Sequence, residues 1–455
     1  MLNPPRVDNR RIVFGLLVAL SIFGIIKWAR TTTPEHAEQL KILPLLAIDP
    51  GYSFFPPSKQ RCSIDPARGH DSDSPLCDGI LINNKTQPRV HVVLKTGASE
   101  RDKTELLLQT LLACTPAVTI VSDMQDEIQG HHVIDILAEL PASYAIVNPE
   151  WKSYEAQKGA AEKGEPIYKS PDGWLLDRFK FLPMIEKVYE LDPHADWYFF
   201  TEADVYFVWD TLYRLISQMN ASESQYIGVA APGANHTFFA YGGGGFLLSG
   251  ALMHRLLHNK TESISIKYEK MARDGCCGDA TLAYVIRQET GVVIQNAYPT
   301  ISGEALYGLG VGKENWCLPL LSLHRVSPDL MQQLWRWERC RPYDELPIRI
   351  STVLDFALSP ILRNGSTLRS WDNFSNQARH RFHPAHSSAS NCAHYCFVDH
   401  TCLQWTYFKD QCRTADVVKQ GQYIDDNDVV SGWNTPALER LGYRIHGDSS
   451  ATCGT

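Results

Sequence analysis

The sequence predicts an α/β protein with one N-terminal transmembrane helix and a small disulfide-rich module near the C-terminus. Three observations carry this prediction. Within residues 90–121 an apolar strand, an amphipathic helix and a second apolar strand follow one another, a β–α–β pattern that implies a parallel sheet. An apolar segment with basic flanks lies within residues 12–29, and four cysteines cluster within residues 392–412.

The composition narrows the class of protein. The chain has 455 residues, of which 44% are hydrophobic and 21% charged, as is usual for a globular protein. Its net charge is −8 and it contains no long basic run, so we expect no nucleic-acid partner. The sequence leaves the oligomeric state open, with a homodimer among the alternatives.

The N-terminus predicts a membrane anchor. We interpret residues 1–11 as a cytosolic tail and residues 12–29 as an uncleaved signal anchor, with Arg11 before the apolar run and Lys27 near its far end. A cleaved signal peptide is the alternative, but no small-x-small cleavage site closes the run. The short span favours an early secretory membrane, with the bulk of the chain in the lumen.

Cysteines and glycosylation sequons agree with a lumenal body. The chain has 12 cysteines, an even number and more than most cytosolic enzymes carry. Six N-x-S/T sequons predict glycosylation at Asn84, Asn220, Asn235, Asn259, Asn364 and Asn373.

Composition also divides the chain into segments. Residues 30–86 are rich in Pro, Ser and Asp and are interpreted as a stem, in which Cys62 and Cys77 could close a loop. The predicted segments after the stem are a body at 87–342, a linker at 343–384, a cysteine module at 385–420 and a C-terminal tail at 421–455. Zinc is the alternative for the four cysteines of the module, but an oxidising lumen disfavours free thiolate ligands.

Polar residues follow the two strands of the β–α–β unit. Lys95, Thr96 and Gly97 come after the first strand, and Asp123 comes after the second. Ligands of open α/β sheets bind at the carboxyl ends of the strands, so these residues are candidates for ligand binding.

Two acids follow a third apolar strand. A predicted helix within residues 180–192, with Pro183 in its first turn, leads into an apolar run at 197–200 that is typical of a strand buried on both faces. Glu202 and Asp204 come next, and their oxygens suit Mg²⁺ or Mn²⁺. A solvated turn is the alternative.

Three further features are candidates for the same site. His324 ends another apolar strand and would shift the preference from Mg²⁺ toward Mn²⁺, although a lone histidine is more often structural. The glycines of 242–245 permit close backbone approach to a ligand, with a plain flexible loop as the alternative. Asp279 lies near the start of a predicted helix, where it is either a cap or a general base.

Taken in order, several motifs resemble glycosyltransferase family 31, the family of Fringe and the core 1 β-1,3-galactosyltransferases. The matching stretches are KTG at Lys95, FFTEADVYFVWDTL, GGGGFLLSGAL, GDATLAYVI, SGEALYG and SLHRVSP, which span residues 90 to about 330. The cysteine module resembles a PAN/Apple module, a combination similar to the fungal members of the family.

The resemblance implies a GT-A fold, which is a Rossmann-like mixed sheet flanked by helices. It also implies a single-pass type II protein of the Golgi membrane with a lumenal catalytic domain. It implies an inverting, Mn²⁺-dependent transfer of a hexose, with galactose expected and Mg²⁺ as an alternative ion. The donor would be a UDP-sugar, and the acceptor a hydroxyl of a glycan or glycoprotein in β-1,3 linkage. A non-catalytic lumenal chaperone or glycan-binding protein on the same fold is the alternative.

The resemblance also implies roles for individual residues. The implied metal ligands are Glu202, Asp204 and His324, and the implied catalytic base is Asp279. The implied nucleotide-sugar contacts are Lys95, Thr96, Gly97 and Asp123 together with Glu202 and Asp204. The donor or acceptor would approach Gly243, Gly244 and Gly245, and Trp316 is a candidate for stacking on a sugar, with a place in the aromatic core as the alternative.

The chain departs from the family pattern at two positions. Glu202 replaces the more usual aspartate and still offers oxygen ligands. Gly278 stands before Asp279 where the core 1 enzymes carry a second acid.

Overall fold

A computed structural model describes residues 41–42, 88–113, 115, 117–165, 173–233, 237–339 and 347–443. The predicted cytosolic tail and anchor, and the stem apart from 41–42, lie outside these residues. Among the helices that the structure describes, none is both long enough and apolar enough to cross a membrane.

The described residues form twenty strands and thirteen α-helices. The strands are β1 Lys41–Ile42, β2 Val90–Lys95, β3 Val118–Ser122, β4 Asp126–Ile128, β5 His131–Asp135, β6 Trp197–Glu202, β7 Tyr206–Phe207, β8 Tyr226–Gly228, β9 Ala230–Pro232, β10 Phe238–Ala240, β11 Phe246–Ser249, β12 Gln295–Asn296, β13 Ser322–Leu323, β14 Thr367–Arg369, β15 Trp371–Asp372, β16 Gln377–Ala378, β17 Gln404–Phe408, β18 Gln411–Ala415, β19 Gln422–Tyr423 and β20 Val430–Trp433. The helices are α1 Arg101–Gln109, α2 Ser143–Val147, α3 Trp151–Glu162, α4 Asp177–Leu191, α5 Trp209–Ser217, α6 Gly250–Leu257, α7 Ile264–Lys267, α8 Glu269–Asp274, α9 Gly278–Thr290, α10 Pro328–Arg339, α11 Ile350–Leu362, α12 Ala389–Val398 and α13 Thr435–Arg440.

The largest sheet is mixed and runs in the order β1-β12-β8-β11-β6-β2-β3-β5-β4. Strand β2 is parallel to both β3 and β6, as the predicted β–α–β unit requires. Strand β11 is antiparallel to β6 and β8. The carboxyl ends of β2, β3 and β6 therefore meet at one edge of the sheet, and β11 begins at that edge. The predicted α/β class is confirmed.

Helices cover both faces of the sheet. Because side chains alternate along a strand, Trp197 and Phe199 of β6 pack on one face with Leu212 of α5. Tyr198 and Phe200 pack on the opposite face with Ile185 of α4. Strand β6 is thus buried on both sides, as its continuous apolar run predicts.

The C-terminal part is a five-stranded antiparallel sheet in the order β14-β20-β17-β18-β16, with α12 packed beside it. Disulfides join Cys392 to Cys412 and Cys396 to Cys402. These pairs link α12 to β18 and to the residues before β17. The predicted disulfide module is confirmed, and these four cysteines are not available to bind zinc.

The predicted boundaries of the C-terminal segments are wrong. The supposed linker, 343–384, contains α11, whose Val353 and Leu358 lie in the same core cluster as β6. It also contains β14 and β16, which belong to the five-stranded sheet, and the supposed tail after 420 supplies β20 and α13. Strands β14 and β16 are short and polar, so no run of apolar residues in the sequence indicates them.

Candidate functional site

The candidate site lies where the carboxyl ends of the central strands meet. Lys95 ends β2 and is paired in register with Glu202, which ends β6. Asp123 directly follows β3, and the one-turn helix Gly242–Gly244 ends one residue before β11. The sheet therefore brings together residues that are far apart in the sequence.

Glu202, Asp204 and His324 form a cluster. Each offers one ligand atom, and these atoms lie within 4.8 Å of one another. The β7–β13 pairing brings Asp204, which precedes β7, close to His324, which follows β13. The Val326 backbone N–H also donates to the Asp204 carbonyl at 2.9 Å, and the His324 Nε2 lies 3.5 Å from Asp204 Oδ1.

The chemistry of this cluster suits a divalent cation. Burial lowers the pKa of His324, although the charges of Asp204 and Glu202 oppose that shift, so the imidazole is neutral near pH 7. A neutral imidazole offers a lone pair, and carboxylates offer hard oxygens. The predicted metal residues thus lie together in a donor set that could hold such an ion.

Gly243 lies against the His324 ring. A Cβ atom added at Gly243 would lie 2.4 Å from His324 Cε1. The three predicted approach glycines all contact the protein itself: a Cβ at Gly244 would meet Val229 at 2.6 Å, and Gly245 adopts a φ of 75° that favours glycine. The glycines therefore make room for the imidazole and the turn, and the approach of a sugar to them stays a prediction.

Lys95 is buried and pairs with two acids. Its Nζ lies 2.9 Å from Asp177 Oδ2 and 3.1 Å from Glu202 Oε1. Burial alone would lower the pKa of Lys95, but the two carboxylates raise it overall, so the side chain stays charged. Lys95 thereby fixes the position of Glu202 and offsets part of the cluster's negative charge.

Asp177 and Lys180 extend this network, and sequence reasoning missed both. Lys180 is fully buried, and its Nζ lies 2.7 Å from both the Thr96 carbonyl oxygen and Asp177 Oδ1. It also lies 3.7 Å from Asp123 Oδ2. The only signal in the sequence is a lysine between two phenylalanines at the start of an amphipathic helix.

Asp123 and Thr96 bond to the protein itself. The Asp123 Oδ1 accepts a hydrogen bond of 2.7 Å from the Ala98 N–H, which ties the loop after β2 to the end of β3. The Thr96 hydroxyl bonds to that of Thr104 at 2.9 Å, and Gly97 lies between Asp123 and Lys180. These residues lie at the predicted edge of the sheet, and their contact with a nucleotide stays a prediction.

Asp279 borders the acidic cluster through Gly242. Its Oδ2 accepts from the Gly242 N–H at 3.1 Å, and its Oδ1 accepts from the Ala280 N–H at 2.9 Å. A Cβ at Gly242 would lie 3.1 Å from Glu202 Oε1, so this one glycine contacts both carboxylates. Asp279 is in the first turn of α9, whose N-cap position is Cys277, so it does not act as a simple cap.

The environment makes Asp279 more basic than an ordinary aspartate. Burial raises its pKa to about 6, the two backbone N–H bonds and Lys95 oppose that rise, and Glu202 adds to it. A carboxylate with this pKa is ionised at pH 7 and still accepts a proton readily, which is what a general base requires.

Gly278, next to Asp279, occupies a position with no room for a side chain. A Cβ there would lie 2.4 Å from Phe181 Cδ2 and 2.5 Å from the Arg178 carbonyl oxygen. Cys276 and Cys277, bonded to each other, directly precede it. The absence of a second acid at this position therefore follows from packing against α4.

Lys103 and Tyr241 also interact with the cluster, and the sequence analysis predicted a role for neither. Burial lowers the pKa of Lys103, but its ion pair with Glu100 and the charges of Asp204 and Glu202 raise it overall. The Tyr241 hydroxyl lies 3.5 Å from His324 Nδ1. Neither residue stands out from its sequence context.

Trp316 does not fit its predicted role. It is 6% exposed and belongs to the hydrophobic core that also contains Leu354 of α11. The indole ring is therefore not accessible for stacking on a sugar, and the aromatic-core alternative is correct.

The predicted glycosylation sites fall into three groups. Asn220, Asn259 and Asn364 are exposed, whereas Asn84 and Asn235 lie outside the described residues. Asn373 is fully buried, and its Nδ2 donates to the carbonyls of Trp405 and Gly432, both at 3.1 Å. Glycosylation of Asn373 is incompatible with the folded structure, so that prediction is wrong.

No family model matches the chain, and no curated protein matches it significantly.

Proposed function

We propose that this protein is an inverting, Mn²⁺-dependent glycosyltransferase of the GT-A fold, with Mg²⁺ as the alternative ion. It would transfer a hexose, with galactose expected, from a UDP-sugar to a hydroxyl of a glycan or glycoprotein in β-1,3 linkage. The observation that carries the proposal is the cluster of Glu202, Asp204 and His324 at the sheet edge, linked to the basic carboxylate Asp279 through Gly242.

Each residue has a role that follows from its surroundings. Asp204 and the neutral His324 bind the cation, and Glu202 completes the set while Lys95 holds its carboxylate in place. When bound, the cation neutralises the developing charge of the UDP diphosphate. Lys103, which pairs with Glu100 at 2.7 Å and whose pKa Asp204 and Glu202 help to raise, would add positive charge on this side of the cluster.

Asp279 carries the proton chemistry. It takes the proton of the acceptor hydroxyl as that oxygen bonds to the anomeric carbon and the bond from that carbon to UDP breaks. A single displacement of this kind inverts the anomeric centre. The resemblance to glycosyltransferase family 31 supports the donor class, the linkage and a place in the Golgi membrane with the body in the lumen.

The proposal is tested by UDP release from the full-length chain in detergent. A panel of UDP-sugars would be supplied with glycan acceptors, with and without Mn²⁺, for the wild type and Asp204→Asn. The matched control is Asp274→Asn, because Asp274 is about half exposed and lies outside the cluster.

We expect Mn²⁺-dependent turnover of one donor, at least about a hundredfold lower in Asp204→Asn and unchanged in the control. No turnover of any donor by a folded wild-type chain would contradict the proposal. The non-catalytic alternative would then be favoured, and glycan binding without turnover would identify it.

A further inference from the structure

A short segment of the C-terminal module is held rigidly at Lys419. The Lys419 backbone N–H donates to Gln404 Oε1 at 2.7 Å, and its carbonyl accepts from Trp433 Nε1 at 3.0 Å. Gln404 and Trp433 are both fully buried in the five-stranded sheet. The core of the module therefore fixes where Lys419 lies.

The same segment pairs with the loop of residues 301–312 in the body. Val311 and Val418 exchange two backbone hydrogen bonds of 2.8 and 2.7 Å. The Gly421 N–H donates to the Tyr307 carbonyl at 2.9 Å. Three backbone hydrogen bonds thus join the module to this loop.

Glu304, in that loop, and Lys419 both lie beside Gly310. A Cβ atom added at Gly310 would lie 3.4 Å from Lys419 Cε, and the Gly310 N–H donates to the Glu304 carboxylate. Burial raises the pKa of Glu304, and the positive charge of Lys419 and a hydrogen bond from the Gly310 N–H oppose that rise. Burial lowers the pKa of Lys419, and the charges of Glu304 and Asp372 oppose that shift. The Lys419 and Glu304 side chains therefore converge on the same glycine of the loop, where their opposite charges attract.

Glu304 in turn holds the histidine of the candidate metal cluster. The His324 backbone N–H donates to the Glu304 carbonyl at 3.0 Å. The Glu304 N–H is itself held by the Ser302 hydroxyl at 3.2 Å. A continuous set of contacts therefore runs from the core of the module, through Lys419, Gly310 and Glu304, to His324.

We propose that the C-terminal module is a structural support for the metal site, and that Lys419 and Glu304 are positioning residues that hold His324 against Asp204. The inference rests on the proposed function in one respect, because it assumes that the cluster binds a divalent cation. The module would then contribute to metal binding in the body by positioning His324, and this role is separate from recognition of a substrate.

The test uses the full-length chain and two measurements that need no donor sugar. Lys419→Met removes the charge and keeps a side chain of similar length, and Lys409→Met, at an exposed position of the same module, is the matched control. Mn²⁺ affinity is measured by titration calorimetry, and exchange of the His324 amide by hydrogen–deuterium mass spectrometry.

We expect Lys419→Met to displace Glu304, whose carbonyl is the outer-shell partner of His324, and thereby to weaken Mn²⁺ binding roughly tenfold and speed exchange at His324. Lys409→Met should match the wild type in both measurements. If Lys419→Met does not fold, Glu304→Gln/Lys419→Met removes both charges of the pair and is measured in its place.

The outcomes separate the two proposals. Exchange and Mn²⁺ affinity that are unchanged in Lys419→Met would overturn the support role of the module. A wild type that does not bind Mn²⁺ would instead overturn the metal site and the proposed function, while the exchange measurement would still decide whether the module positions His324.

Discussion

At Asp279, burial and hydrogen bonding act in opposite directions on one carboxylate. Withdrawal from water favours the neutral acid, whereas the N–H groups of Gly242 and Ala280 stabilise the anion. Burial dominates, and the pKa is about 6. This balance depends on Gly242, which belongs to a different element, so it could not be derived from the residues next to Asp279 in the sequence.

The pH dependence of the reaction should reflect this carboxylate. Because a general base acts only when ionised, we expect kcat/KM to rise with pH and to level off above about 6. Asp279→Asn should lower kcat by about 10² to 10⁴ and remove this limb of the profile. A pH–rate profile of both proteins checks the expectation, and an unchanged limb in Asp279→Asn would assign it to another group.

The same shift has a consequence for stability. The folded state holds the Asp279 proton more tightly than the unfolded chain, whose pKa is close to 3.8, so ionisation favours unfolding. This group's contribution to the free energy of unfolding is therefore lost as the pH rises from about 4 to about 6. Urea titrations should show a smaller decline for Asp279→Asn over that range.

The predictability of the site differs from residue to residue. Glu202 and Asp204 follow a buried strand, and His324 follows another, so strand ends alone predict where these three lie. Lys180 is different, because a lysine in a helix usually points to solvent and nothing local marks this one as buried. Its partners come from β2, β3 and its own helix, and only the assembled sheet brings them together.

At the scale of elements, helix α4 decides how this network forms. The sequence predicts a helix that begins near Lys180 with Pro183 in its first turn, whereas the structure begins it at Asp177, with Pro183 farther inside. The earlier start places Asp177 and Lys180 three residues apart on one face. Both side chains then reach the ends of the neighbouring strands.

Removal of the Lys180 charge should weaken the fold. Lys180→Met leaves Asp177 and Asp123 without one buried positive partner, so we expect the free energy of unfolding to fall by about 3 kcal/mol. Lys187→Met, on the same helix, loses only a partly exposed pair with Glu190 and should change it by less than about 1 kcal/mol. Urea denaturation of both variants checks this. If Lys180→Met lowered the free energy of unfolding no more than Lys187→Met does, the buried network would add no stability.

At the scale of the whole molecule, the body and the C-terminal module share one core. Leu403 and Trp433 of the module lie in the same cluster as Phe199 of the central sheet. The pairing of Thr367 with Gly432 joins strands that are far apart in the chain, and this is why the sequence predicts a linker where the structure has a sheet. Apolar periodicity indicates local elements well but does not indicate such distant pairings.

Because Asn373 is buried in this module, we predict which sequons carry a glycan. In protein from a secretory host, we expect glycans at the exposed Asn220, Asn259 and Asn364 and none at Asn373, whose amide is bonded on both sides. A glycan attached before folding at Asn373 would prevent the sheet from closing, so folded protein should lack it. Glycopeptide mass spectrometry of the folded fraction checks this, and an occupied Asn373 would contradict the packing of the module.

The packing at Gly278 also limits how this protein can change over evolutionary time. Any side chain there would collide with Phe181 and with the backbone of α4, so a single mutation cannot place an acid at position 278 without displacing these atoms. A lineage could acquire that acid only after α4 had shifted, because a smaller residue at 181 would leave the collision with the Arg178 backbone. Position 278 is therefore open to an acid only through an ordered pair of changes, with the shift of α4 first.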